Sequence, residues 1–255
     1  MLSLREYRGH ADRLADFLPW AAVVAPGVVL NKDGSFQRSA RFRGPDLDSA
    51  TSSELIATTA RLNSALRRLG SGWAIFVEAV RRPAIDYPEC DFPDAASALV
   101  ERERAAQFAE EGAHFESKYF LTLLWMPPVE DAARAEGWLY EGKAQKGVNP
   151  KELLDGFIDR TDRLLRLVEG FMPEVGWLDD AETLTYLHSC ISTRAQKVRV
   201  PETPMHLDAL LADEALVGGL EPRLGSSHLR TLTVIGFPSA TFPGLLDELN
   251  RLAFA

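Results

Sequence analysis

The spacing of apolar positions changes several times along the chain, and each change predicts an element. In residues 3–18, Leu4, Tyr7, Ala11, Leu14 and Leu18 fall on one helical face, and Pro19 ends the pattern. Residues 20–30 are almost wholly apolar and predict a strand, and residues 35–43 alternate and predict a second. In the second, Phe36 and Phe42 share one face while Gln37, Arg41 and Arg43 point the other way. Asn31 to Gly34 then sits where a hairpin turn belongs. Gly34 supplies a positive φ, and Asn31 and Asp33 can bond nearby backbone.

Further along, Leu55, Thr59, Leu62, Leu66 and Leu69 predict a helix over 49–69, closed by Arg67, Arg68 and Gly70. "WAIFVEAV", 73–80, reads as a strand, 94–113 as a charged helix, and "YFLTLLWM", 119–126, as a central strand buried on both faces. Pro127 and Pro128 stop it. A helix over 150–171 has Asn149 as N-cap, Glu152 as its partner, and an apolar stripe of Leu154, Phe157, Ile158, Leu165 and Val168. Asp179 and Glu182 form a capping box for a helix over 179–191. A short helix near 205–212, a strand over 229–237 and a last helix over 241–253 follow. The order predicts an α+β fold, with mixed α/β as the alternative: a largely antiparallel sheet with an N-terminal hairpin and helices on one side. Residues 129–149 and 198–204 are candidate subdomain joints.

Length and composition fit this picture without narrowing it. The chain has 255 residues, 46% hydrophobic and 25% charged, enough for one large domain or two small ones. The net charge of −9 argues against direct nucleic-acid binding. Its distribution is uneven: residues 1–82 carry 12 basic and 8 acidic side chains, and residues 83–255 carry 16 and 29. The basic first third could face anionic lipid, an acidic partner or simply solvent. Cys90 and Cys190 form no CxxC and no disulfide framework, so a reducing compartment is expected. The N-terminus lacks the apolar run of a signal peptide. The longest apolar stretch, 19–30, holds two prolines and a glycine, short of the ~20 residues a membrane span needs. A soluble or membrane-peripheral chain is expected. The final helix has no polar tail, which suggests a piece of something longer.

Candidate chemistry is sparse. A phosphate-cradling loop needs G-x-x-x-x-G-K-[ST], and the sequence has no Gly-Lys-Ser/Thr. The Asn31–Gly34 loop fails as an EF-hand, because positions 1 and 12 would be Val29 and Ala40. His188 and Cys190, two apart on a predicted helix, diverge by about 200°, as do His206 and Asp208 on theirs, so neither pair shares a metal easily. Gly225-Ser226-Ser227-His228 lacks the second glycine of a nucleophile elbow. The acidic pairs Asp179/Asp180 and Glu110/Glu111 read as a helix cap and a solvated face. No catalytic, metal or cofactor residue is therefore expected, and a docking module is favoured over an enzyme. The alternative is an autonomous hydrolase-like enzyme using His228 or His188.

Several longer stretches go beyond pattern. "FLPWAAVVAPGVVLNKDGSFQRSARFRGPDLDSA", "RLNSALRRLGSGWAIFVEAVRRPA", "GAHFESKYFLTLLWMPP", "MPEVGWLDDAETLTYLHSCIS" and "PMHLDALLADEALVGGLEPRLGSSHLRTLTVIGFP" resemble, in order, the N-terminal region of the TrbE conjugal-transfer ATPases, of the CagE/TrbE/VirB family of type IV secretion. In that family this region precedes a motor domain carrying the Walker motifs. The resemblance implies one docking domain over 1–255 with no catalytic position of its own. ATP and Mg belong to the motor domain. The implied partners are inner-membrane secretion subunits, the chain's own motor domain and further copies in a homo-oligomer, and the implied location is the bacterial cytoplasm, peripheral to the inner membrane. Beside that resemblance, the charge split proposes a partner-facing surface of Leu4, Tyr7, Leu14, Phe17 and Trp20 with Arg38, Arg41 and Arg43.

Overall fold

The computed structural model describes residues 13–45, 49–83, 87, 90, 92–109, 115–128, 150–203 and 205–231. Its centre is a six-stranded antiparallel sheet. The strands are β1 (Trp20–Ala25), β2 (Val28–Asn31), β3 (Phe36–Arg43), β4 (Trp73–Pro83), β5 (Phe115–Trp125) and β6 (Glu174–Trp177), with the order β1-β2-β3-β5-β4. β6 joins beside β3, pairing Ala40–Arg43, while β2 pairs Phe36–Arg38 of the same strand. β3 thus has two short neighbours end to end on one side and β5 on the other.

The apolar run 20–30 is two strands, not one. Pro26 has no amide to give a ladder, and Gly27 takes φ +66°, so the chain reverses there into a β1–β2 hairpin. The next turn forms where expected. Gly34 has φ +82° and donates its amide to the Asn31 carbonyl at 3.0 Å; Asp33 Oδ1 accepts from the Ser35 amide at 3.0 Å.

Helices lie on both faces, where the pattern predicted one. α2 (Ser52–Leu66), capped by Thr51 and Glu54, and α4 (Pro150–Glu169) cover the face carrying Phe36, Leu123 and Trp125. Phe157 is fully buried there, its ring 5.7 Å from both Phe36 and Trp73. The stripe of α4 is as predicted, with Leu164 and Thr161 added to it. α5 (Asp180–Ser189), with the expected Asp179/Glu182 capping box, and the short α6 (Leu207–Leu211) lie on the other face. They pack with Leu18, Trp20, Val29 and Leu178. A single helix could not have hidden both faces of β3, whose Phe36, Gln37, Ser39 and Ala40 are all buried.

Of the first predicted helix, Leu14–Phe17 (α1) is helical among the described residues. α3 (Ala95–Phe108) is capped by Asp94, whose carboxylate accepts from the Ser97 amide at 2.9 Å. The pairs β7 (Leu216–Val217), β8 (Arg223–Leu224) and β9 (Ser227–His228) form a small second sheet that the periodicity did not announce. Residues 229–231 carry no strand, and the rest of the predicted strand to 237 and the helix over 241–253 lie outside the described residues, as do Asn149 and the joint 129–149. In the other joint, the Val198 amide donates to Thr185 Oγ1 at 3.1 Å.

Candidate functional site

Between β3, β5, β6 and α5 the sheet carries an open cleft, made of two adjoining cavities of about 460 and 820 Å³. Arg41, Glu116, Lys118, Leu178 and Glu182 line both. The registry explains the convergence. Arg41 lies opposite Phe120, and Lys118, two residues along β5, lies opposite Val80, so same-face residues of three strands look into one space. The floor is apolar, with Val80, Phe120 and Leu178. The walls are charged and cross-linked: Arg41 to Glu182 at 3.6 Å, Arg43 to Glu174 at 3.3 Å and Lys118 to Glu116 at 3.5 Å.

Beneath the cleft runs a polar chain. Ser39 and Thr122 hydroxyls meet at 2.8 Å, Thr122 and Tyr186 at 3.3 Å, and the Tyr186 hydroxyl donates to Glu78 Oε2 at 2.8 Å. The Cys190 thiol donates to the same Glu78 oxygen at 3.5 Å. Three strands and α5 are fixed through one series of contacts, and the Tyr186 ring stacks on Phe120 at 4.3 Å. Loss of hydration, with Glu78 and Cys190 nearby, pushes the Tyr186 hydroxyl well above its ordinary value despite the Thr122 bond. Cys190 is exposed as a residue, but its sulfur sits against the protein; that desolvation, then the Glu78 carboxylate, pushes its thiol up to about 12. The Cys190 thiol is thus held as a thiol, not as a nucleophilic thiolate.

His188 and Cys190 face different neighbours. The His188 ring is 1% exposed, with Nε2 at 3.1 Å from Asp213 Oδ2 and Nδ1 buried without a partner among the described residues. Burial raises the Asp213 carboxyl, but the hydrogen bonds from His188 and Ser192 outweigh it and lower it. The Thr193 amide, first, holds Glu214 low as well. These contacts tie the 192–214 segment to the end of α5. His228 stands apart, exposed, 3.7 Å from Glu221.

The described members of the proposed partner-facing set do not form one patch. Leu4 and Tyr7 lie outside the described residues. Leu14 packs against the core, and Trp20, 7% exposed, is inside it, since it pairs opposite Asn31 and faces α5 and α6. Arg38 is an internal ion-pair partner of Asp162 at 2.6 Å, with its guanidinium 4.3 Å from the Trp177 ring. Phe17, 60% exposed, and Arg41 and Arg43 remain at the surface. Arg41 and Arg43 sit at the far end of β3 from its turn with β2. Phe17 is near the β2–β3 turn because the Lys32 amide bonds the Pro19 carbonyl at 2.7 Å. The cleft residues Lys118, Phe120 and Tyr186, and Glu78 beneath them, were missed. They come from three elements, β5, α5 and β4, and share no local motif.

The sequence also resembles known proteins. Residues 27–133 match the model of the type IV secretion system ATPase VirB4/TrbE, N-terminal domain. A probable conjugal transfer protein TrbE of Sinorhizobium fredii, the first of two polypeptides that carry that name there, is 45% identical over 130 residues, 50% of this chain and 87% of that protein. The chain belongs to the VirB4/TrbE family, in its N-terminal domain. The conjugal transfer protein TrbE of Rhizobium radiobacter is 33% identical over 99% of this chain. The VirB4 secretion protein of Brucella suis is 22% identical over 92%. The chain spans about a third of the length of these two relatives, 33% and 30%. Among the described residues, no helix is long and apolar enough to cross a membrane.

Proposed function

We propose that this chain is the non-catalytic module by which a TrbE-type secretion ATPase docks to inner-membrane channel components and is assembled for conjugative DNA transfer. The observation that carries the reading is the open cleft: an apolar floor of Val80, Phe120 and Leu178 inside walls of exposed, paired charges. Such a surface suits a protein segment, which supplies apolar anchors and can exchange rim charges. Arg41 and Arg43, 60% and 69% exposed in their side chains, are accessible cations on its rim. On this reading ATP and Mg are held by a motor domain, and the module works on the cytoplasmic side of the inner membrane.

The test is co-purification of the tagged chain with inner-membrane subunits of its own conjugation system. Arg41→Glu with Arg43→Glu should cut recovery sharply while circular dichroism and Tm stay unchanged, because both ion pairs are exposed. Full recovery with the double variant would reject the cleft as the docking surface. ATP turnover by the purified chain, free of motor protein, would reject the non-catalytic assignment.

A further inference from the structure

Among the described residues β4 is a long edge strand without the usual defences of such an edge. Its inner side pairs with β5 through eleven registered positions, Trp73 to Pro83. Among the described residues no strand pairs with its outer side. At its middle three successive residues expose apolar side chains: Ile75 is 38%, Phe76 54% and Val77 67% exposed. Natural edges are blunted by a proline, a bulge or an inward charge; here the exposed triplet precedes the first charge, Glu78, and the proline stands at the strand's end. A strand edge that meets no other strand among the described residues, set between apolar side chains, is a template for another strand.

The triplet also selects the strand. We propose that the outer edge of β4 pairs antiparallel with β4 of a second copy of this chain, about a two-fold axis at Phe76. In that register Phe76 meets Phe76, and Ile75 meets Val77 twice, so every exposed apolar side chain of one copy covers one of the other. Glu78 falls opposite Ala74, and Arg81 opposite Ser71, so no like charges are juxtaposed. The two Glu78 positions stand four residues apart along the ladder, about 13 Å at ~3.3 Å per residue, beyond the screening length in physiological salt. An axis at Glu78 would bring the two carboxylates together, and one at Val77 would set Phe76 against Glu78. Charge and apolar matching therefore choose the same register. The proposal rests on the docking-module reading only in that both concern assembly; the two surfaces differ.

Cysteine pairing tests the axis directly. In a Cys90→Ser, Cys190→Ser background of the full chain, Phe76→Cys should form a disulfide-linked dimer under mild oxidation, because opposed residues of an antiparallel pair have Cα atoms about 4.5–5.5 Å apart. Val80→Cys, displaced from the axis, should not. Light scattering after size exclusion should show the unmodified chain passing from one to two copies with concentration, and Val77→Lys should weaken that association about tenfold or more without lowering Tm. A chain that stays monomeric at every concentration, or Phe76→Cys that links no better than Val80→Cys, overturns the proposal. Val77→Lys run in the co-purification assay separates the two readings: a monomeric variant that still recovers channel subunits leaves the docking module standing.

Discussion

The Gly27 amide donates to Asp180 Oδ1 at 2.7 Å, tying the β1–β2 turn to the first turn of α5 across 153 residues of chain. Gly27 holds φ +66°, and a Cβ built on it would collide with the Leu178 carbonyl oxygen, which has no freedom because the Leu178 amide bonds Ser39. Gly27→Ala should therefore lose about 2–4 kcal/mol in urea unfolding, from strain and displacement together. Asp180→Ala, which removes the acceptor alone, should lose about 1–2 kcal/mol. A Gly27→Ala midpoint equal to the parent's would show that the turn is free of α5.

Asp162 holds two donors at once, Arg38 Nη1 at 2.6 Å and Trp177 Nε1 at 2.8 Å. The Arg38 side chain is 12% exposed, so deleting the carboxylate leaves a cation with little water. Asp162→Ala should cost about 3 kcal/mol, and Arg38→Met with Asp162→Leu should recover much of it. Urea midpoints of the single and double variants check this. A loss in the double variant as large as in Asp162→Ala would show that the stranded cation is not the source of the cost.

Phe157 touches Phe36, Trp73 and Trp125, all within 6.4 Å between ring centroids. It is 0% exposed, so Phe157→Ala opens a cavity where α4 meets the sheet and should cost about 3–5 kcal/mol. The emission of Trp73 and Trp125 should shift to the red in the folded variant. An unshifted spectrum with a small stability loss would place the ring outside the cluster.

Alkaline pH should unfold the chain through Tyr186 and Cys190. Both are raised, so folding favours their protonated forms. Their contribution is complete below the unfolded values, about 8.5 for a thiol and 10 for a phenol, and falls as pH rises past each. Stability should decline from about pH 9 upward, less steeply in Cys190→Ser and in Tyr186→Phe. At pH 8 iodoacetamide should label exposed Cys90 first, and Glu78→Gln should speed labelling of Cys190 by removing the adjacent negative charge. Equal rates for the two thiols in the parent chain would contradict the desolvated sulfur.

Local signals carried much of this fold. The Asn31–Gly34 turn, the Asp179/Glu182 cap and the α4 stripe are short-range chemistry, and each forms as expected. What stayed hidden was relational. Pro26-Gly27 could be read inside an apolar strand because no periodicity marks a hairpin between two buried strands. β6 is four residues, half exposed, and is a strand because β3 offers it an edge. The cleft is harder still: Arg41, Lys118, Phe120 and Tyr186 converge through strand registry over 145 residues, and the amphipathic pattern records which face each occupies, not which neighbour it meets. The charge split pointed to arginines near the cleft but also selected Arg38, whose partner Asp162 is 124 residues away.

The sharing of β3 between β2 and β6 bears on how the chain emerges during synthesis. Residues 36–38 can be zipped on one side as soon as the hairpin leaves the ribosome, but their other side waits for 115–125, and 40–43 wait for 115–125 on one flank and 174–177 on the other. For that interval half of a central strand is bare, and the nascent polypeptide depends on a helper or on speed to keep it from sticking. Translation pauses placed before codon 174 should thus lower soluble yield, whereas the same pauses after α5 should not.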